Sequence, residues 1–184
     1  GQVLMDESEI FDAGVWTWLS DPALGGNPGG FLVSAGSGLA SGRMGHSATK
    51  LANGDVLIVG GYGYERLDAS SNPINECLSS AYLFSPRTNR FSAVGSMSSA
   101  RAAHRAVLLP SGEVLVFGGY DTSMASLASA ELYDPTAQAF SPVSGGTLQA
   151  RESASGDGGG SKALFVGGVT YTSTGSALAT GSEA

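Results

Sequence analysis

Apolar residues in this chain come in short runs that end on a glycine pair: VLIVGGYG at 56–63, VLVFGGYD at 114–121 and ALFVGGVT at 163–170. Runs this short, rich in β-branched residues and bounded by Gly, Asn, Asp and Pro, predict strands. HSATKL and RAVLLP predict a strand ahead of the first two runs, joined to them by the turns ANGD and PSGE. Downstream, EIFDAGVWTW (9–18), YLFSPRTNRF (82–91) and ELYDPTAQAF (131–140) align without gaps, each with two aromatics seven apart. These are Phe11 and Trp18, Phe84 and Phe91, and Tyr133 and Phe140. Each segment predicts a strand, a turn and a second strand opening on its aromatic. No stretch carries a sustained helical period, so the chain reads as all-β.

The strands form a repeat. The pairs Gly60–Gly61, Gly118–Gly119 and Gly167–Gly168 follow Arg43, Arg101 and Arg151 by 17, 17 and 16 residues, and His46 and His104 stand three residues after the first two arginines. One unit is four short strands, a to d, with the glycine pair closing b. Where four-stranded sheets pack side by side, side chains leaving b must vanish at the closest approach, and glycine also accepts the positive φ of the turn that follows. The aromatics fill the wider gap beyond. Arginine and histidine invite catalytic readings, but recurrence at equivalent positions marks them as architecture.

Arg-x-x-His, an apolar strand, GG and two spaced aromatics at a period near 50 resemble the kelch repeat, and RAAHRAVLLPSGEVLVFGGYD with ASAELYDPTAQAF is similar to bacterial kelch arrays. The resemblance spans essentially the whole chain and implies a β-propeller whose blades are four-stranded antiparallel sheets. On this reading 1–18 ends a blade lacking its first strand, 19–42 is an inserted inter-blade loop, 43–91 and 101–140 are blades, and 151–184 starts a truncated blade. That makes about three to four blades of an incomplete ring. Propellers close with roughly four to eight, so closure is expected from the rest of a longer chain, the favoured expectation, or from neighbouring chains. In the third copy ESASGDGGGSK has Ala154 in the histidine position and no apolar residue to bury, which predicts a distorted or partly disordered inner strand. Its DGGG is accompanied by no lysine–serine signature and no following helix, as a phosphate cradle would require.

Departures from the repeat are where function is sought. Beyond 19–42, the b–c loop at 62–81 is about nine residues longer than its counterpart. In an antiparallel a–b–c–d sheet the b–c loop and the d-to-next-a loop emerge on the same side. The expected rim therefore carries Phe31, Tyr62, Tyr64 and Arg66, residue types common in interaction hot spots, with Tyr120 and Asp121 beside them. Gly-rich insertions are also tolerated as plain surface, and both readings stand.

Charge narrows the partners. A formal net charge of -7, with nine scattered basic residues, provides no cationic stripe for nucleic acid. No apolar run reaches the roughly 18 residues of a membrane span. Cys77 is the single cysteine, which excludes an intrachain disulfide and multi-cysteine metal sites and leaves a free thiol as the expectation. The family resemblance also brings in copper radical oxidases resembling galactose oxidase, which use a tyrosine cross-linked to a cysteine together with histidine and tyrosine ligands. Cys77 is expected in the inserted b–c loop, away from any strand-borne tyrosine motif, and both histidines are repeat elements. The sequence thus predicts a non-catalytic module without cofactor or metal, acting as a scaffold or offering its loops to a protein partner, or secondarily a glycan. Exported bacterial arrays imply a secreted or cell-surface setting, although cytoplasmic kelch proteins exist too.

Overall fold

A computed structural model describes residues 9–11, 31–33, 42–144, 149–159, 162–171 and 177–179, and every regular element among them is a strand. In chain order these are β1 (Glu9–Phe11) and β2 (Phe31–Val33); β3 (Arg43–Met44), β4 (Ser47–Lys50), β5 (Val56–Val59), β6 (Tyr62–Gly63), β7 (Glu76–Cys77), β8 (Ala81–Ser85) and β9 (Arg90–Val94); β10 (Arg105–Leu108), β11 (Val114–Phe117), β12 (Ala130–Asp134) and β13 (Ala139–Pro142); and β14 (Ser155–Gly159), β15 (Lys162–Val166), β16 (Val169–Tyr171) and β17 (Ala177–Ala179). Two complete antiparallel sheets run β4-β5-β8-β9 and β10-β11-β12-β13, while β14-β15 and β1-β2 are two-stranded. Inner strand β10 lies between β4 and β14, so successive sheets stand side by side like blades in a propeller-like all-β fold.

The core forms where the two complete sheets meet. Leu57, Val59, Ala81 and Leu83 of the first pack with Met97, Val114, Val116 and Tyr133, all buried. Burying each large aliphatic side chain stabilises the fold by about 1.5–3 kcal/mol. Further out, the spaced aromatics pair in register as Phe84 with Phe91 and Tyr133 with Phe140, each with ring centroids 4.9 Å apart.

The first copy departs from its sequence reading. β1 pairs with Phe31–Val33, in the register Phe11 opposite Phe31, so Phe31 takes the place that Phe91 and Phe140 hold. The insertion therefore lies inside the c–d hairpin, not between blades, and Phe31 belongs to an outer strand, not to a rim loop. Trp18, expected to open that strand, lies outside the described residues. Lengthening a hairpin loop costs little, about 0.6 kcal/mol per doubling, so the strand with the better pattern takes the pairing. That pattern was present: FLVSAGSG parallels FSAVGSMS and FSPVSGGT.

The third copy's inner strand is regular, not distorted. Ser155 to Gly159 pairs residue for residue with Lys162 to Val166. Ladder hydrogen bonds need no side chains, and neighbours fill the space that the glycines leave. A Cβ on Gly158 would lie 2.7 Å from the Leu108 carbonyl oxygen, and one on Gly156 the same distance from the Phe165 ring. Phe165 in turn packs on Phe117, centroids 4.8 Å apart.

Candidate interaction rim

The repeated arginines fasten sheet to sheet. Arg43, Arg101 and Arg151 are buried, and each Nη1 donates to the first glycine carbonyl of its own repeat, Gly60 at 3.0 Å, Gly118 at 2.9 Å and Gly167 at 3.4 Å. The arginine backbone reaches the previous repeat. Gly61 N–H donates to the Arg101 carbonyl, Arg101 N–H to Leu78, and Leu78 N–H back to Gly61, at 2.9, 3.1 and 2.8 Å. Gly119, Arg151 and Leu127 close the same three-bond ring at 2.8, 3.2 and 2.7 Å. The glycine pair is required here, because Gly60 has φ +59° and a Cβ on it would sit 2.6 Å from the Arg101 carbonyl oxygen.

Each complete sheet also gives its arginine a carboxylate, from different places. Glu131 in β12 lies 3.2 Å from Arg101, both out of water, and accepts from the backbone N–H of Ser98 and Ser99. The matching position in β8 is Tyr82. There Glu65, from the long b–c loop, pairs with Arg43 at 2.8 Å, accepts from the hydroxyls of Ser80 and Tyr82, and the Arg43 guanidinium lies 5.0 Å over the Tyr82 ring. His104 is likewise internal. Its Nε2 is hydrogen-bonded to Ser47 Oγ at 2.8 Å, and burial, assisted by Arg101, pushes its pKa down to about 3, so it is neutral at physiological pH. His46, its counterpart, is exposed.

Above these staples the loops build small rim sheets. β3, β6 and β7 form a three-stranded sheet with Met44 opposite Tyr62 and Tyr62 opposite Cys77. The next copies repeat the plan as Ala102–Tyr120–Ser126 and as Glu152–Val169 with β16–β17. Each rim sheet joins residues just after the repeat arginine to residues just after its glycine pair, so these two loops share a side. Tyr62, Tyr64 and Tyr120 are half-buried in it and Arg66 is exposed, forked onto Glu76 with two bonds of 2.7 Å. Asp68 accepts from the backbone of Ser70 and Asn72 and holds the loop's outer turn. The insertion is thus internally braced. Asp121 is committed to its own turn: Oδ1 accepts from Ser123 N–H, Ser123 Oγ and Ala125 N–H, and the Ser123 bonds keep its pKa low.

Three exposed apolar residues join the rim tyrosines, Met44, Leu67 and Met124. The repeat does not mark them, although an apolar residue in an otherwise polar loop is a usable signal in the sequence. Cys77 is buried in the b–c insertion: in β7 it stands opposite Tyr62 of β6, its Sγ donates to the Tyr120 carbonyl at 3.4 Å, and its N–H donates to Thr122 Oγ1. Burial pushes the thiol up to about 11. Among the described residues, no three His, Cys, Asp or Glu side chains converge as a metal site, and no helix is long and apolar enough to cross a membrane. The inner strands β4, β10 and β14 line a polar groove of about 400 Å³ that includes Ser47, Thr49, Lys50, Arg105 and Asp157. Arg105 is engaged there, donating twice to the Gly156 carbonyl.

No family profile matches the chain. No curated protein matches it. Among solved structures, one titled "Structure of YjhT" superposes with a TM-score of 0.63 at 12% sequence identity, over 84% of this chain and 56% of that one. At this identity the likeness is one of fold, and the chain spans little more than half of that structure's length.

Proposed function

We propose that the chain is a kelch-type propeller segment that works as a non-catalytic interaction and scaffold module, capturing a protein through the rim above the glycine pairs. The observation that carries this reading is the braced b–c insertion. A merely tolerated loop has no need of the forked Arg66–Glu76 pair, the Asp68 turn and a Glu65 anchor on a buried arginine. These contacts brace the segment that carries Tyr62, Tyr64 and Leu67, with Met44 opposite Tyr62, and aromatic and apolar groups held in place before binding lose little entropy on contact. A secreted or cell-surface setting fits the low charge content, and glycan binding through the tyrosines is the secondary form of the proposal.

The test places a photocrosslinking amino acid at position 64, and at position 136 in the opposite turn as control, in the protein expressed in its native host. Adducts to one defined protein from position 64 only, and loss of that partner's affinity in a Tyr62→Ala/Tyr64→Ala variant, are expected. Equal crosslinking from both positions, or unchanged affinity, defeats the rim reading; a glycan array signal lost in the same variant redirects it to sugars. Cys77 opposite Tyr62 keeps the copper radical oxidase as the competing reading. Stoichiometric copper bound after incubation with the metal would favour it.

A further inference from the structure

The residue just after each repeat arginine differs from copy to copy: it is Met44, then Ala102, then Glu152. The third copy thus brings a carboxylate to the rim. Neighbouring rim sheets are stitched by contacts that run from one copy to the next. Tyr62 stands opposite Cys77, the Cys77 thiol donates to the Tyr120 carbonyl, Tyr120 stands opposite Ser126, and the Ser126 hydroxyl donates to Glu152 Oε1 at 3.2 Å. Two half-buried tyrosines and one carboxylate are tied together by this line of contacts. Resting on the reading of the rim as the face that captures a protein, we propose that the partner contributes an arginine side chain, which lies against Tyr62 and Tyr120 and pairs with Glu152.

Charge decides the sign of the guest. Arg43 is paired with Glu65, Arg66 with Glu76, and Arg101 is sealed against Glu131. Arg151, next to Glu152 in the chain, is buried and donates to the Gly167 carbonyl. Among the described residues Glu152 therefore has a hydroxyl for a partner and no cation, and partial burial raises its pKa. A carboxylate drawn part of the way out of water gains most from a cation that brings N–H donors with it. Tyr120 is in electrostatic reach of the same groups: after burial, Cys77, Glu152 and Tyr62 raise its pKa, and no cation offsets them. The net charge of -7 steers a cationic segment toward the protein as well.

Shape decides between the cations. An aromatic face attracts ammonium and guanidinium alike, but a planar guanidinium stacks on the ring and keeps N–H groups at its edge for a carboxylate. Ser126 takes one lone pair of Glu152 Oε1, and Oε2 has no partner among the described residues, so the carboxylate can still accept a fork.

The whole chain is titrated with the peptide acetyl-Gly-Arg-Gly-amide and with its lysine and citrulline versions, citrulline having the shape of arginine without the charge. The arginine peptide is expected to shift the ring resonances of Tyr62 and Tyr120 at millimolar concentration, the lysine peptide to bind several-fold more weakly, and the citrulline peptide at least about tenfold more weakly. Glu152→Gln, which keeps an acceptor for Ser126, should weaken the arginine peptide about tenfold at unchanged melting temperature. Glu113→Gln, which removes the same charge from the turn between β10 and β11, should leave binding as it is. Arginine and citrulline peptides that bind alike, tyrosine rings that do not respond, equal losses in the two glutamate variants, or a Glu152→Gln chain that binds like the parent would each overturn the proposal, and tighter binding of lysine would overturn the assignment to arginine. None of these outcomes touches the adducts formed at position 64. A partner captured there whose affinity survives Glu152→Gln would sink the arginine guest and leave the rim reading standing.

Discussion

Arg101 and Glu131 face each other across 3.2 Å with side-chain exposures of 0% and 2%, a charge pair sealed between two sheets. The carboxylate also caps the backbone of Ser98 and Ser99, and the guanidinium is held by Gly118 and Ser129, so the pair organises the turn that leads from one blade into the next. Breaking one side strands a buried charge. Glu131→Ala is expected to cost about 3–5 kcal/mol, and Arg101→Lys a substantial part of that, because an ammonium cannot reproduce the planar fork. Urea denaturation with a common slope checks both, and a loss under about 1 kcal/mol for Glu131→Ala would show the pair to be solvated.

The glycines separate strain from crowding. Gly112 has φ +90° with nothing within 4 Å of its Cβ position, whereas Gly60 combines φ +59° with a carbonyl oxygen at 2.6 Å. Gly112→Ala should therefore cost only the left-handed backbone, about 1–2 kcal/mol. Gly60→Ala must in addition push Arg101 and the next sheet away, and is expected to cost clearly more and to loosen hydrogen exchange at Gly61 and Leu78. Equal losses in the two variants would mean that the sheets are not in contact there.

What was legible in the sequence follows from the same physics. The GG pairs, Arg43, Arg101 and the Phe84–Phe91 and Tyr133–Phe140 pairings could be read because each repeats at fixed spacing in a fixed steric role. Phe31 was misplaced because a gapless alignment from Phe11 reached Trp18 first, and loop length scarcely weighs on which strand pairs. The inner strand β14 was underrated because its stability comes from what covers it, Arg105, Leu108 and Phe165, not from its own glycines. Glu65 was invisible as a partner of Arg43 because its counterpart Glu131 comes from a strand. Met44, Leu67 and Met124 offered a signal that repeat-based reading discards, since they belong to what differs between copies.

The buried imidazole gives a pH test. With a folded pKa of about 3 against 6.5 in the unfolded chain, His104 makes its full contribution above pH 6.5 and loses it as the pH falls toward 3, because the unfolded state takes up the proton first. Between pH 6.5 and 5 the stability should drop toward a limiting slope of about 1.4 kcal/mol per unit. The aspartates with lowered values, Asp68 and Asp121, add their losses only at more acid pH. In His104→Asn this component should vanish, so the difference between the two curves isolates it. A parallel pair of curves would mean that His104 is reached by solvent and charges in place.

Cys77 reports on the rim without any substitution. A thiol with a pKa near 11, packed against the Tyr120 carbonyl, has little thiolate at pH 8. Iodoacetamide should label it at least about a hundredfold more slowly than the same chain in urea, since both thiolate fraction and access are reduced. Fast labelling in native buffer would show that the β6–β7 hairpin opens readily.

The origin of the acid at each arginine suggests a rescue. Glu65→Ala removes the carboxylate that holds the insertion to Arg43, with the Ser80 and Tyr82 hydroxyls left turned toward the gap, and is expected to cost about 1–3 kcal/mol while loosening residues 62–78. Tyr82 stands in β8 where Glu131 stands in β12. Tyr82→Glu in the Glu65→Ala background should therefore recover much of the stability by restoring the strand-borne acid, but should not re-anchor the insertion, which then has only Arg66–Glu76 and its own turns. Denaturant midpoints and hydrogen exchange separate the two effects. Stability regained while Tyr62 to Cys77 stays unprotected would show that the long loop had taken over a structural duty from the blade. If the double variant is no more stable than Glu65→Ala, the two acids are not equivalent, and the insertion is held by something other than Arg43.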